Sequence, residues 1–600
     1  MAEQIEKQRV KVAEAKGRPM LHWVGKKPLD SVTVFPTQLV ETFNPTGEEN
    51  EAQGLVFHGD NKDAMAWLLA HGYRRKVKLI YIDPPFDSGA DYVRRVQLRG
   101  IRTAELEGEA HSLDEQIQYT DIWANDMYLQ FIYERLLMMK ELLSDTGSIY
   151  VHLDYRMDSY IRVIMDEVFG QHNYRNELIW AYEGREMSEA QYNRKHDTIL
   201  FYSKGQDITF NYDDILDPLK ESSRQAMSRY QDEDGKYFIL RYKDGGGFAP
   251  LDQEGENTYR QYVPEGVPPR DWFMIDYSRK SERTGFPTQK PRALLERFIK
   301  ASSNRGELVA DFFIGCGTTA EVAQQLGRRW IGCDINRGAI QTTSKQLQKV
   351  ITNQMESKPT PPPAALSFSV YRVNDYDLQI QHNEAVNLVV EHIGIERTRT
   401  DPFFDGTLGK RLVKIVPFNH PLTLLDLQLL QDELKARPDE DRNMVVVCLG
   451  KESAVDPELE KYNKHRAINK IEVIELRTHQ KYGKFFVHQP VHAEVNIERR
   501  NKKIMVEIED FISPTIVERL EMDTPLFKVE IPDWRAMVDV VLIDTSYDGE
   551  VFDITLSDVP EKKDNLVQGR YELPAPGEET TVAVKIIDML GEEVITTARV

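Results

Sequence analysis

The stretch Val77-Lys78-Leu79-Ile80-Tyr81-Ile82-Asp83-Pro84-Pro85-Phe86 constrains the fold more than any other. Its apolar run of β-branched and aromatic residues predicts a strand buried on both faces, as in parallel sheets. Two consecutive prolines offer no backbone N–H and resist helix, so the chain must leave the strand through a stiff extended corner. A carboxylate and an aromatic ring are thereby fixed at a strand's carboxyl end, where open α/β sheets place their ligands. Such a corner suits chemistry on an exocyclic amine of a nucleobase, whose lone pair is conjugated into the ring. Asp83 and the Pro84 carbonyl can each accept from one of its N–H bonds and draw the nitrogen towards a tetrahedral form. Phe86 can stack on the base. Standing alone, the motif would fit an ordinary surface turn equally well, so it needs company.

The company comes in order along the chain. Residues 1–53 begin polar, turn irregular at Pro28, Pro36 and Pro45, and read as an arm. Gly54–Asp60 predicts a short strand ending in Gly-Asp, followed by a helix with apolar spacing at Ala64, Met65, Trp67 and Leu68. Asp60 would sit at that strand's edge as a ligand to an adenine amino group, as a helix N-cap, or as both. Beyond the corner, residues 87–120 are polar, lack periodicity and read as a mobile loop. An amphipathic helix over 121–143, a strand at Gly147–Leu153 and a helix from Met157 to Phe169 complete a β–α–β–α alternation. Alternation of this kind means a mostly parallel, doubly wound sheet with helices on both faces.

Residues 174–285 break the pattern. Strands are expected at Glu177–Tyr182 and Thr198–Tyr202. Then Tyr230, Tyr237, Tyr242, Tyr259 and Tyr262 interleave with Arg229, Lys236, Arg241, Lys243 and Arg260. That mixture suits nucleic-acid contact, although half-buried hairpins look the same. Alternation resumes with Pro287-Thr288-Gln289-Lys290-Pro291, a helix, and the strand Leu308–Phe313. The turn Ile314-Gly315-Cys316-Gly317-Thr318-Thr319, a second helix and the strand Arg329–Asp334 follow. An acid about 20 residues after the first glycine has the spacing of a ribose-binding carboxylate in a nucleoside-cofactor site. The three-glycine fingerprint of a dehydrogenase is absent. Acids on both sides of the turn, Asp311 and Asp334, fit a donor with a cationic amino-acid tail and a ribose.

These residues together resemble a known family. The D-P-P-F corner, a large insertion, the T-Q-K-P lead-in and the F-I-G-C-G-T-T turn occur in the order of the β-class amino-methyltransferases of DNA. H-G-D-N-K-D-A-M at 58–65 and K-H-D-T-I-L-F-Y-S-K at 195–204 further resemble the modification subunits of type III restriction systems. The resemblance covers residues 54–345. It implies a class I S-adenosylmethionine-dependent fold with permuted motif order and transfer of a methyl group to N6 of adenine in duplex DNA by base flipping. N4 of cytosine, an RNA base, or a recognition subunit active only with a partner are the alternatives. Carried over residue by residue, Asp83, Pro84, Pro85 and Phe86 would be catalytic. Asp60, Lys290, Asp311, Phe313, Gly315, Gly317, Thr318 and Asp334 would hold S-adenosylmethionine, with Lys290 near its amino-acid tail. Phe86 replaces the commoner Tyr, and Cys316 stands where Ser or Ala is usual. The implied domains are a catalytic part at 54–173, a target-recognition insertion at 174–285 and a cofactor-binding part at 286–357. The implied partners are duplex DNA, a helicase or restriction subunit, and a second copy of the chain.

The proline-rich run 358–363 is a stiff linker. Residues 365–490 read as an α/β docking module with strands at Lys410–Val416 and Asn443–Leu449. Asp405-Gly406 and Leu412-x-Lys414 faintly resemble a nuclease core, but Leu412 stands where a metal-binding acid is needed. Residues 491–600 alternate in period two and read as a β-rich domain. The net charge of −21 opposes general coating of nucleic acid. Arg94, Arg95 and Arg99 after the corner are nevertheless candidates for phosphate contact, or for a merely solvated face. No apolar run approaches the ~20 residues that cross a bilayer. Met1–Arg9 lacks the apolar core of a signal peptide. Cys316, Cys333 and Cys448 are too few and scattered for disulfides or zinc. The expectation is a cytoplasmic enzyme that uses no metal.

Overall fold

The computed structural model describes residues 9–600 apart from 14–19, 24, 48–53, 86–91, 100–104, 112–126, 184–191, 194, 220, 244, 246, 264–265, 278–281, 283–288, 374–389, 391–392, 398–400, 402, 417–421, 439, 449, 452–454, 465, 467, 477–490, 524–530, 561–563 and 578. For 92–97, 105–111, 127, 221, 224, 518–519 and 521–523 it describes the backbone only.

Eleven strands form the central sheet. In chain order they are β1 (Thr37–Phe43), β2 (Gly54–His58), β3 (Val77–Ile82), β4 (Leu143–Leu153), β5 (Tyr174–Ala181), β6 (His196–Ser203), β7 (Trp272–Met274), β8 (Leu308–Asp311), β9 (Arg329–Asp334), β10 (Phe368–Val373) and β11 (Phe552–Asp553). Across the sheet the order is β7-β5-β6-β4-β3-β8-β9-β2-β10-β1-β11. The run β4-β3-β8-β9-β2-β10 is parallel throughout. β6 runs against both β4 and β5, and β1 runs against β10. The glycine-turn strand β8 comes late in sequence yet lies in the middle, hydrogen-bonded to the D-P-P strand β3 on one side and to β9 on the other. This is a doubly wound α/β sheet with permuted motif order.

Six helices cover it: α1 (Asn61–Ala70), α2 (Met127–Leu142), α3 (Asp158–Phe169), α4 (Arg292–Ser302), α5 (Thr318–Gln325) and α6 (Arg337–Ser357). Successive strand residues point to opposite faces, and β3 shows it. Ile80 and Ile82 join the core under α1, α2 and α3, whereas Leu79 and Tyr81 join the core under α4, α5 and α6. Every residue of β3 is buried, which is why its sequence is apolar on both faces.

The sheet takes strands from outside the expected boundaries. β1 comes from the segment read as an arm, β10 from the segment read as the docking module, and β11 from the β-rich domain. A parallel sheet ending at β2 would leave a row of unpaired N–H and C=O groups, and these three strands cap that edge. From the expected insertion, β5, β6 and β7 belong to the sheet. What remains between β6 and β7 holds an antiparallel unit of Tyr230–Gln231, Tyr237–Tyr242 and Thr258–Tyr262. Residues 87–120, read as a loop, include Tyr92–Gln97 and Glu105–His111 paired as an antiparallel hairpin. That pairing uses backbone groups and leaves no apolar period to read.

Beyond the proline run, a five-stranded sheet includes Arg411–Ile415 and Met444–Cys448, close to the expected strands. Leu412 is buried in its core. Asp405 Oδ2 accepts from the Ile415 N–H at 2.7 Å and lies 3.3 Å from Lys414 Nζ. The β-rich domain follows with a three-stranded and a four-stranded sheet.

One expectation about the arginines is corrected. Arg99, a candidate for phosphate contact, is buried inside the chain. Its N–H donates to the Ala536 carbonyl at 3.1 Å, its Nε to the Val538 carbonyl at 3.1 Å, and its guanidinium to Asp539 Oδ1 at 2.5 Å. Leu98 beside it enters the core of the β-rich domain. A guanidinium that hydrogen-bonds two carbonyls and a carboxylate leaves water only because the partners preexist. Removing it strands the Asp539 charge and the carbonyls. Arg99→Ala should therefore lower stability by about 3 kcal/mol, read as lost hydrogen-exchange protection over Val538–Asp544.

Candidate active site

Five neighbouring parallel strands hand the chain over to an aspartate at their carboxyl ends: Asp154 after β4, Asp83 after β3, Asp311 closing β8, Asp334 closing β9 and Asp60 after β2. Neighbouring strands lie ~4.8 Å apart, so these carboxylates form a row. Each is held differently.

Asp83 follows β3 directly and is pinned by the buried Pro84. Lys290 Nζ donates to Asp83 Oδ2 across 207 positions of sequence. The other oxygen, Oδ1, is shielded from solvent and has no hydrogen-bond partner among the described residues. Burial alone would lower the Lys290 pKa, but Asp83, Asp197 and Tyr277 outweigh it and raise it, so the lysine is a firm cation. Lys290 was expected at the cofactor's tail; the structure instead places it on the catalytic carboxylate. Phe86 lies outside the described residues. Arg94 and Arg95 lie on the strand Tyr92–Gln97, of which the backbone alone is described.

Asp311 is buried, accepting from Thr319 Oγ1 at 2.5 Å and from the Phe313 N–H at 3.0 Å. Desolvation, with Asp83 and Asp334 nearby, pushes its pKa up to about 7 against those two donors. Asp334 accepts the Gly315 N–H at 2.8 Å and the Asn336 N–H at 2.9 Å, which fixes the glycine turn against the next strand. Gly315 and Gly317 take φ of +52° and +86°. A Cβ at Gly317 would lie 2.7 Å from Thr343 Oγ1, so the turn needs glycine for both space and conformation. Thr318 is buried at the start of α5, and the Phe313 ring packs 6.2 Å from Phe131. Asp60 caps α1 by accepting the Lys62 N–H at 2.6 Å, and Arg135 bonds both its oxygens at 2.8 Å. The cap role of Asp60 is thus the one the structure displays.

Several residues that hold the site carried no motif. Arg135 and Asn61 tie the α1 start to the Phe312 carbonyl. Thr319 holds Asp311, and Thr343 Oγ1 donates to the Gly315 carbonyl at 3.0 Å. Behind Asp83, the Tyr81 hydroxyl lies 2.9 Å from His152 Nδ1, and His152 Nε2 lies 3.0 Å from Asp197 Oδ2. Arg135 and His152 shared one signal, a charged or titratable residue set inside an apolar stripe.

The row places an acceptor for an amine, Asp83, one strand away from a glycine turn flanked by two acids. The order of motifs and their spatial adjacency match what the comparisons find. The DNA methylase family model matches residues 77–345. The type II methyltransferase M.EcaI of Enterobacter cloacae is 28% identical over 331 residues, 48% of this chain and 68% of its own. The EcoPI Mod subunit of a type III restriction-modification enzyme, from Escherichia phage P1, is 25% identical over 52% of this chain and 62% of its own. The DNA adenine methyltransferase YhdJ of Escherichia coli K12 is 26% identical over 50% of this chain and 85% of its own. This chain thus spans less than two thirds of the EcoPI Mod subunit.

The Asp311 geometry sets a pH dependence. Folded, its carboxyl keeps its proton up to about pH 7; unfolded, it gives the proton up near ~4. The folded chain binds more protons across that window, so this group's contribution to stability falls as pH rises through it. Denaturant unfolding of the ligand-free protein from pH 5 to pH 8 should show the decline, and Asp311→Asn should flatten it.

Residues 77–345 belong to the DNA methylase family of N6 and N4 amino-methyltransferases, related to type II methyltransferases and type III modification subunits.

Proposed function

We propose that the chain transfers a methyl group from S-adenosylmethionine to N6 of adenine in duplex DNA, as the modification subunit of a restriction or phage-defence system. The observation that carries this reading is the Asp83 carboxylate, with one oxygen bound to Lys290 and the other buried and unpartnered among the described residues. A buried acceptor oxygen with no donor is costly, and an amine N–H is what it lacks. The Pro84 carbonyl can accept the second N–H, and Phe86 follows as a stacking ring.

The residues around the turn fit the cofactor. The backbone of Gly315 and Gly317 permits close approach, Asp334 can bridge ribose hydroxyls, and Asp311 can pair with an ammonium group. When bound, the cofactor supplies a sulfonium methyl. Asp83 sharpens the nitrogen lone pair and holds it in line, so the chain's contribution is positioning together with two hydrogen bonds that strengthen as the nitrogen becomes tetrahedral. A base inside a duplex cannot reach the corner and must be flipped out. The aspartate in D-P-P supports adenine over cytosine, and the name of the YhdJ relative agrees with it. The antiparallel unit between β6 and β7 exposes Tyr259, Tyr262 and Phe248, with Arg229 and Arg241 within 4.7 Å of the Phe248 ring, and is the surface we assign to the DNA target. Because the EcoPI relative is a Mod subunit, we assign residues beyond the proline run to contact with a restriction subunit.

Asp83→Ala should lower methyl incorporation into unmethylated genomic DNA by ~100-fold or more while retaining cofactor binding. Hydrolysis and chromatography of the product should show N6-methyladenine; N4-methylcytosine would favour the second reading, which the family's scope keeps in play. A second outcome concerns the cofactor. Pairing of its ammonium with Asp311 expels the proton that Asp311 carries below about pH 7. Affinity should therefore rise as pH increases towards 7, by up to ~10-fold per unit, as titration calorimetry in buffers of different ionisation enthalpy would show.

A further inference from the structure

Tyr81 and Asp83 are two positions apart on the same strand exit, and a chain of polar contacts joins them by a second route. The Tyr81 hydroxyl meets His152 Nδ1 at 2.9 Å, His152 Nε2 meets Asp197 Oδ2 at 3.0 Å, and the Tyr182 hydroxyl donates to Asp197 Oδ1 at 3.0 Å. Asp197 in turn acts on Lys290, which bonds Asp83. The strands involved are β3, β4 and β6, and the Trp180 ring packs edge-on against His152 from β5. His152 is wholly buried, Tyr81 is 2% exposed, and both sit within the apolar core. Polar groups placed there cost stability unless every one is bonded, yet a phenylalanine at 81 and an apolar residue at 152 would fill the space more cheaply. Something other than packing retains them.

We propose that Tyr81, His152 and Asp197 are positioning residues for the transfer step, holding Lys290 and through it the Asp83 carboxylate with Oδ1 turned towards the target amine. The inference rests on the methyltransferase reading above. Its physical content is that one cation is shared by two carboxylates. After the amine nitrogen has given its lone pair to the methyl carbon, it carries positive charge. One N–H bond then breaks, its electron pair returns to nitrogen, and Asp83 Oδ1 takes the proton. At that moment Asp83 becomes neutral and Lys290 would be left as a lone buried cation. Asp197 supplies the remaining counter-charge, and it stays ionised. Burial pushes its pKa up, but hydrogen bonds from His152 and Tyr182 and the Lys290 charge bring it below the usual carboxylate range. His152, locked by Tyr81, keeps Asp197 facing Lys290. Acids and phenols nearby that share this field are Asp311 and Tyr81 beside Asp83, and Tyr182 and Tyr277 beside Lys290.

The test uses the full chain, unmethylated genomic DNA and tritium-labelled S-adenosylmethionine. Asp197→Asn and His152→Gln should lower kcat by ~10-fold or more, with KM for DNA and for the cofactor changed less than ~2-fold. Asp197→Glu should recover part of the loss, because it restores the charge. Tyr81→Phe, which removes a single oxygen from the core and leaves packing intact, should lower kcat by ~5-fold with unchanged cofactor affinity. Variants that raise KM at unchanged kcat, or a Tyr81→Phe and Asp197→Asn pair that turn over like wild type while Asp83→Ala is dead, overturn the inference and leave the methyltransferase reading intact. A wild-type chain that transfers no methyl group overturns both.

Discussion

Mutual repulsion among carboxylates at one edge of the sheet is the constraint on which the rest of the site depends. Parallel strands point all their carboxyl ends the same way, and five consecutive ones here end on aspartate. Without partners, such a row at ~4.8 Å backbone spacing would not stay ionised. Asp60 is neutralised by Arg135, Asp83 by Lys290, and Asp154 by Arg156. Asp334 is satisfied by two backbone N–H groups. Asp311 lies between the Asp83 and Asp334 strands, with no cation bonded to it, and resolves the conflict by holding a proton. The absence of a protein cation at the centre of the row is what makes that position receptive to a cationic ligand.

The counter-charges also explain why distant segments converge. Lys290 sits in the lead-in to α4, and Arg135 lies in the middle of α2. Both are the terminal groups of elements whose apolar faces pack elsewhere on the sheet. Burial of those faces positions the helices coarsely, and ion pairs with Asp83 and Asp60 fix their rotation. The insertion obeys the same logic of closure. β7 returns from it to pair with β5, so the antiparallel unit is anchored at both ends to the sheet that carries Asp83.

The strand Val77–Ile82, its corner and the strand–glycine turn–strand unit were legible in the sequence because each is specified locally, by an apolar run, by proline, or by glycine at positive φ. Asp311 and Asp334 were legible from spacing. The partnership of Lys290 with Asp83 was not, since nothing in T-Q-K-P says which of two acids it meets. Arg99 misled for a related reason: a basic residue among others reads as surface, and only the carbonyls at Ala536 and Val538 make it interior. β1, β10 and β11 were missed because edge strands are defined by the partner they cover, not by their own pattern. Tyr81, His152 and Asp197 were invisible individually, each a single polar residue in an apolar stripe, and acquire meaning only as a connected set.

The β-rich domain is part of the same physical unit as the sheet. Val540, Leu542, Phe552, Ala583 and Ile587 share one apolar core with α4, α5 and α6. Asp539 pairs with Arg99, which follows the hairpin strand after the catalytic corner, and with Lys345 of α6 at 2.8 Å. Lys585, buried and held high in pKa by Glu41 against its own desolvation, ties the domain to β1 at 3.0 Å. The two elements that leave the row of aspartates, the hairpin after Asp83 and the helix after Asp334, therefore end on one carboxylate of a distant domain. A displacement of that domain would strain both elements at once, because buried ion pairs do not stretch cheaply. The proline run between the sheet and the module does not isolate the methylase domain; the chain returns to it 180 residues later, and the boundary drawn by composition is not a boundary in the packing.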